Sequence, residues 1–280
     1  MKKVLSAVLA LVLILSAIAA FASCGKKAKI TIAIPNDGTN EYRALRLLED
    51  QGLITLKEGV KGTATVKDIA ENPYNIDFKE TEAALIPNLL KDVDYAVINR
   101  NYALAAKLTP FAIETNVEYS NIISVKAGNE ATDKTKALVA AVNSQAVKDY
   151  IEATYNGEIV CDLKDVFADG FDASVNYDAL NGTTITVAAS PVPHAEILKV
   201  AKDILAQKGI TLDIREFDDY VQPNLVVEND EVDANYFQHV PYMNEFNQEN
   251  GTHIVSVLEV HHEPLGVYSD KNDSFDAIKK

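Results

Sequence analysis

Aromatic rings with polar tips, amides and imidazoles crowd two stretches of the chain. These are Asp219-Tyr220-Val221-Gln222-Pro223-Asn224 and Asp233-Ala234-Asn235-Tyr236-Phe237-Gln238-His239-Val240-Pro241-Tyr242. The second straddles a junction between a strand and a helix. Tyrosine and histidine have an apolar body and a tip that needs a hydrogen-bond partner, so beside Phe237 they suit a small amphipathic ligand as well as a core. His239 and Tyr242 are three residues apart, and both face one side if a helix starts there. The remaining chemistry-bearing residues make no reacting set. The sequence holds no glycine loop for phosphate, no G-x-S-x-G turn and no H-E-x-x-H pair. His261 and His262 are neighbours on an expected strand, so their side chains leave opposite faces and cannot easily share an ion. His194, His239 and His253 fall on separate elements without ligand spacing. No catalytic residue, metal site or cofactor is therefore expected, and the pattern points to binding.

The elements that would hold these groups alternate along the chain. Lys29-Ile30-Thr31-Ile32-Ala33-Ile34 has a period of two and ends at Pro35, which reads as a strand. Asn36-Asp37-Gly38-Thr39 is turn chemistry. Thr39 or Asn40 can cap a following helix whose apolar face includes Ala44, Leu47 and Leu48. Further strands are expected at 76–78, 95–98, 121–125, 184–189, 212–216 and 254–260. Helices are expected at 82–90, against which Pro87 counts, and in two pieces across 134–155. Two more, at 195–208 and 240–250, are stopped by Gly209 and Gly251. This alternation predicts an α/β fold with largely parallel sheets covered by helices. Residues 162–182 break the rhythm: five aspartates, one lysine and two glycines without a period read as a linker.

The chain has 280 residues, 48% of them hydrophobic and 24% charged, enough for two modest domains with real cores. Lys plus Arg is 26 and Asp plus Glu is 41, a net charge of −15, opposite to the basic surface that nucleic acid demands. Met1-Lys2-Lys3, the uncharged run Val4 to Phe21 and the small residues Ala22-Ser23 read as a secretory signal. Phe21-Ala22-Ser23-Cys24 resembles a bacterial lipobox, in which the cysteine is acylated and becomes the mature N-terminus. Removal of residues 1–23 takes Lys2 and Lys3 away and the net charge from −15 to −17. With Cys24 lipidated, Cys161 stands alone and no intrachain disulfide is expected.

Several runs together resemble the methionine-binding lipoproteins of ABC importers, the MetQ/NlpA family. They are the two aromatic stretches, Ser190-Pro191-Val192-Pro193-His194-Ala195-Glu196-Ile197-Leu198 and His262-Glu263-Pro264-Leu265-Gly266-Val267-Tyr268. Ahead of the linker come Ile34-Pro35-Asn36-Asp37-Gly38-Thr39-Asn40, Arg43-Ala44-Leu45, Asp68-Ile69-Ala70-Glu71-Asn72-Pro73 and Ala96-Val97-Ile98-Asn99. Their order is exchanged relative to the family, where the segment P-H-A-E-I-L precedes I-P-N-D. Ser274 to Lys280 resembles the segment that in the family runs directly into Lys29-Ile30-Thr31-Ile32. The chain therefore resembles a circular permutant whose old termini are joined through 162–182, an arrangement tolerated where termini lie close at the surface.

The resemblance implies a type II-like, two-lobed periplasmic-binding-protein fold, circularly permuted. After the signal peptide (1–23) and a tether (24–28), 29–102 plus 271–280 would form one lobe. Residues 103–161 plus 183–270 would form the other. Ligand would lie in the cleft between them. Arg43 matches the family arginine that grips an amino-acid carboxylate, and Asn99 and Asn121 match asparagines at the polar end of the ligand. Tyr220, Phe237, His239 and Tyr242 match the aromatic wall, which suits a thioether. His194, Asn235 and Tyr236 would lie behind them. Arg100 stands where the family often has a small residue, which alters the polarity expected of the cleft. The implied function is capture of L-methionine for an ABC permease and its ATPase by a monomeric, non-enzymatic protein. Such a protein would be lipid-anchored through Cys24 on the extracytoplasmic side of the cell membrane. A related amino acid or methionine derivative as ligand, or a surface interaction lipoprotein without a transport role, are the alternatives.

Overall fold

The computed structural model describes residues 29–115 and 119–279. The signal, the tether and Cys24 lie outside the described residues. The chain begins with β1 (Thr31–Pro35), α1 (Gly38–Asp50), β2 (Thr55–Leu56), β3 (Ile69–Glu71), β4 (Asp77–Thr81) and β5 (Tyr95–Ile98). It continues through α2 (Arg100–Ala105), β6 (Ala112–Ile113), β7 (Ser120–Lys126), α3 (Asp133–Val142), α4 (Gln145–Tyr155) and β8 (Val160–Cys161). Next are α5 (Tyr177–Leu180), β9 (Thr184–Ala189), α6 (Glu196–Ala206), β10 (Thr211–Glu216), α7 (Gln222–Glu228) and β11 (Ala234–His239). The chain closes with α8 (Val240–Asn250), β12 (Ile254–His262), β13 (Gly266–Tyr268) and α9 (Asp276–Lys279).

Two large sheets make two lobes. The first has strand order β4-β1-β5-β13-β6, and the second β10-β9-β11-β7-β12-β8. Ile32, Ala33 and Ile34 are fully buried because β1 runs between β4 and β5 with both faces covered. Leu45, Leu47, Leu48 and Val267 fill the first core, and the C-terminal Phe275 and Ile278 pack into it. The second core gathers Ile123, Leu138, Ile151, Ile185, Ile197, Leu198 and Leu212 on one face of its sheet, while Ile122, Ala188, Val227, Met243 and Ile254 cluster on the other.

Four expectations are corrected. The sheets are mixed: β1, β4 and β5 run parallel, as do β9, β10 and β11, while the strands next to the crossovers are antiparallel. The lobe boundaries also shift. Both β6 and β13 pair within the first sheet, so the chain changes lobe between Ile113 and Ser120 and again between His262 and Gly266. A strand of two or three residues has too little pattern to declare its sheet in sequence. Third, 162–182 is ordered. Phe167 bridges to Ser144, and Leu163, Val175 and Leu180 are buried in the second core. Asp165, Asp169 and Asp178 are exposed, Asp162 bonds Ser120 and His262, and every few residues an apolar side chain turns in. Finally, Asp37, not Thr39 or Asn40, caps α1, its carboxylate accepting from the Asn40 N–H at 2.9 Å. The segment around Pro87 winds as a 3-10 helix over Ala83–Leu89, since proline has no N–H for the α ladder.

Candidate functional site

The N-terminus of α1 and the end of β5 meet β7, β11 and the start of α8 around one cavity. The space between them is about 360 Å3 including its mouth. The first lobe supplies Asn40 and Arg43 from α1, Asn99 from the end of β5, and Arg100 and Asn101 from α2. From the second come Asn121 on β7, Tyr220 before α7, Phe237, Gln238 and His239 on β11, and Tyr242 on α8. Glu263 and Leu265 reach in from the second crossover. All seven residues singled out in the sequence, Arg43, Asn99, Asn121, Tyr220, Phe237, His239 and Tyr242, line this one space. His194, Asn235 and Tyr236 lie behind its walls.

The cavity has a polar and an aromatic pole. At the polar pole Arg43 is 4% exposed, and Glu114 holds its fork, with Nε to Oε1 at 3.2 Å and Nη2 to Oε2 at 2.7 Å. Nη2 also donates to the Glu263 carbonyl and Nη1 to Asn40 Oδ1. Four of five guanidinium N–H groups are thus engaged by the chain itself. The hydrogen bonds to Glu114, Asn40 and Glu263 leave one Arg43 N–H over among the described residues. The Arg43 guanidinium also stacks 4.6 Å from the Tyr119 ring centre. Asn99 Nδ2 donates to Asn40 Oδ1 at 3.0 Å, leaving Asn99 Oδ1 buried without a partner among the described residues. Arg100 reaches across the lobes to Glu158 at 2.8 Å and donates to the Tyr268 hydroxyl.

At the aromatic pole Tyr220, Phe237 and Tyr242 meet with ring centres 5.8 to 6.0 Å apart. The hydroxyl of Tyr220 donates across the lobes to Asn101 Oδ1 at 2.7 Å, and that of Tyr242 to the Tyr220 carbonyl at 3.0 Å. His239 ends β11 and caps α8, its Nδ1 accepting from the Tyr242 N–H at 3.3 Å. Burial, helped by the nearby Arg43 charge, pushes this imidazole well below its ordinary pKa. It therefore serves as a neutral wall and acceptor at physiological pH. The burial of Tyr220 likewise pushes its phenol far up, so it stays protonated.

Beside the cavity the structure joins residues that sequence spacing kept apart. His194 Nε2 donates to Asn121 Oδ1 at 3.0 Å, and His261 Nε2 lies 2.7 Å from Glu263 Oε1. The Tyr236 hydroxyl bonds His261 Nδ1. Burial lowers both imidazoles to about 3, so they are neutral, while burial raises Glu263. The ligand atoms of His194, His261 and Glu263 lie within 4.8 Å of one another, a donor set that a divalent cation could use. Separate elements were the reason to expect no such convergence. That reason fails, because β9 and β12 flank β11 and β7 in one sheet.

Sequence reading leaves out Asn40, Asn101, Gln238, Glu263 and Leu265. Glu263 had a signal: it stands in the run His262-Glu263-Pro264 that carried the resemblance, directly after the strand that ends at His262. Gln238 lies between Phe237 and His239 on β11, where a register shift between Tyr236 and Gln238 breaks the simple alternation and all three line the cavity.

Two lobes joined by two crossovers around a closed polar and aromatic cavity define the architecture of a periplasmic binding protein. A family model, NlpA lipoprotein, matches residues 24–162 and 185–280, and the chain belongs to that family. Membrane lipoprotein TpN32 of Treponema pallidum is 43% identical over 131 residues, which cover 45% of this chain and 49% of the relative. The methionine-binding lipoprotein MetQ of Bacillus subtilis is 40% identical over 139 residues, 46% of this chain and 51% of the relative. A solved nutrient binding protein from Burkholderia cenocepacia, bound to methionine, is 56% identical over 28% of this chain and 34% of that chain, with a TM-score of 0.28. The chain thus spans about half the length of the curated relatives it matches. Among the described residues no helix is long and apolar enough to cross a membrane.

Proposed function

We propose that this chain is the substrate-binding lipoprotein of an ABC importer, capturing methionine between its lobes and delivering it to the permease. One observation carries the reading: residues from both lobes converge on a cavity with amides and guanidinium at one end and aromatic rings at the other. The polar end suits the zwitterionic head of an amino acid, and the rings suit a thioether, whose contacts with aromatics contribute about 0.3–1.5 kcal/mol each. The name of the Bacillus relative agrees with this chemistry. The protein performs no chemical step. Ligand shifts the balance between open and closed lobes, and the permease reads the closed form. Acylated Cys24 holds the protein at the membrane.

The chain carries the family's segments in exchanged order, joined through 162–182. Two findings support this. The family match breaks over 163–184, and a collinear alignment can hold only one side of a permuted join, in keeping with relatives matched over half their length.

Calorimetric titration of the chain from Gly25, unfolded and refolded to strip carried-over ligand, tests the reading. One-to-one saturable binding of L-methionine is expected. A folded chain that ignores methionine and binds another amino acid would replace the ligand, and one that binds no amino acid would end the importer reading.

Closure has its own latch. The Glu245 carboxylate on α8 accepts from the Thr39 N–H at 3.0 Å and from the Thr39 hydroxyl, so it sits on the N-terminus of α1 across the cleft. A methyl group on Gly38 would overlap that carboxylate. Gly38→Ala is therefore expected to push Glu245 aside and weaken methionine about tenfold or more, with the melting temperature little changed. Small-angle scattering should show a more open free chain. Unchanged affinity would remove the latch from the mechanism.

A further inference from the structure

Arg100 borders two spaces. It is part of the wall of the ligand cavity, and it also lines a second, more open pocket of about 830 Å3 including its mouth. The second crossover runs between them. Glu263 and Leu265 line the cavity, whereas Pro264 lines the outer pocket. The rest of the outer pocket comes from 109–113 in the first lobe and 156–158 in the second. The two spaces therefore lie back to back, with 263–265 and the Arg100 side chain as the partition. Next to this stretch the chain is tightly packed: a Cβ on Gly266 would lie 2.8 Å from Pro110 Cβ. Of the partition, only the Arg100 part is a long side chain, and it can be removed without breaking the main chain.

The position of this arginine is set by tertiary partners. Arg100 is the first residue of α2, a helix end that disfavours a cation. Its Nη1 donates to the Tyr268 hydroxyl at 3.2 Å, and its Nη2 pairs with Glu158 of the other lobe at 2.8 Å. Asn156 and Gly157 take left-handed conformations, with φ of 44° and 85°, and this turn leads into Glu158. The arginine side chain is 6% exposed, while that of Glu158 is 55% exposed. An ion pair with one member so exposed adds little stability. Its geometric effect is larger: it moors the tip of a long, flexible side chain across the space between the cavity and the outer pocket.

We propose that Arg100, moored by Glu158 and Tyr268, closes the end of the ligand cavity and sets the length of ligand that the cavity accepts. The proposal rests on the amino-acid reading of the cavity and adds what that reading leaves open, namely what limits ligand size. Arg100 follows Asn99 at the polar pole, so the extension it blocks is one at the amino-acid head, not at the side chain. A free amino acid ends at this wall. A dipeptide carries its second residue into the volume that Arg100 fills. Without the side chain, the cavity continues into the outer pocket and the second residue has somewhere to go. Selection against peptides is then built from a clash, not from a contact that peptides lack.

The test uses three probes on the chain from Gly25: L-methionine, methionyl-glycine and glycyl-methionine, which extend the head at its carboxyl and amino ends. Wild type is expected to favour methionine over both dipeptides by about a hundredfold or more. In Arg100→Ala that preference is expected to shrink about tenfold or more for at least one dipeptide. The ratio is the readout, because a purely structural role lowers all three affinities together and leaves their ratios alone. A folded Arg100→Ala chain with wild-type ratios would overturn the assignment, and so would a wild type that binds a dipeptide as tightly as methionine. Glu158 is free to turn to solvent when the arginine is removed, so the variant is expected to fold. Should it not, Glu158→Ala, which unmoors the tip and leaves the buried stem in place, is expected to narrow the same preference by a smaller factor, and unchanged ratios there overturn the assignment. If wild type binds a different amino acid, its own glycine dipeptides test Arg100 independently of methionine.

Discussion

An Arg43→Ala chain is expected to lose methionine binding and about 3–5 kcal/mol of folding stability. Two roles meet in this side chain. Its outer donors hold Glu114, which is 10% exposed and sits on the first crossover between lobes. Glu114 in turn accepts from the Leu265 N–H at 3.2 Å on the second crossover, and its own N–H donates to the Leu265 carbonyl. Arg43 therefore ties α1 to both crossovers at once. Alanine leaves a buried carboxylate with one backbone partner and no counter-charge, the costly half of a broken buried pair. The double variant Arg43→Ala/Glu114→Ala removes that stranded charge and should recover part of the stability but none of the binding. Chemical denaturation and calorimetry on the three chains separate the roles. A single variant that loses under about 1 kcal/mol would mean that solvent or a neighbour compensates Glu114, contrary to its burial.

Where an element carried a sustained apolar period its pattern in sequence sufficed, whereas the helices Arg100–Ala105 and Gln222–Glu228, whose buried faces include arginine and asparagine, were not expected. The alternation of Lys29 to Ile34, the stripe Ile197, Leu198, Ala201, Ile204 and Leu205, and the glycine stops at 209 and 251 all correspond to elements observed here. What escaped was set by tertiary partners. Neither β6 nor β13 shows which sheet it joins, because that choice is made by distant pairing, β13 with β5 and β6 with β13. The acidic segment 162–182 looked structureless because its apolar residues are spaced irregularly, yet Leu163, Val166, Phe171, Val175, Tyr177 and Leu180 all pack on the second core. The aromatic wall was legible through resemblance, since its residues lie close together in the sequence. The polar pole was less so. Glu114, Asn101 and Glu263 come from three unrelated places, and no local period marks an acid whose partner lies 71 or 220 residues away, as with Arg43.

The network behind the aromatic wall carries the other large effect. Asn224 on α7 and Asn235 on β11 are fully buried, and Gln238 is 3% exposed. Asn224 Nδ2 donates to Gln238 Oε1 at 2.8 Å, while Asn224 Oδ1 accepts from Asn235 Nδ2 and Gln238 Nε2, each at 2.8 Å. Asn235 Nδ2 also reaches the Pro223 carbonyl at 3.1 Å, next to the first turn of α7. These amides are the means by which a helix of seven residues is docked on β11, and α7 follows directly on the loop that presents Tyr220 to the cavity. Replacing Asn224 with leucine keeps the volume roughly constant but strips partners from three buried polar atoms. At about 1–3 kcal/mol per abandoned group, partly offset by the bonds Asn235 and Gln238 retain, the expected loss is about 3–5 kcal/mol. Adding Gln238→Leu removes two of the stranded atoms. The double variant should therefore lie closer to the Asn224→Leu chain than the sum of the two single losses predicts. Tyr220 belongs to the loop that this network fixes, so methionine affinity should fall in the single variant even where the chain remains folded. Denaturant midpoints for the double-mutant cycle, read beside calorimetry, give both numbers. Strict additivity would mean that the amides contribute independently and that something other than this network docks α7.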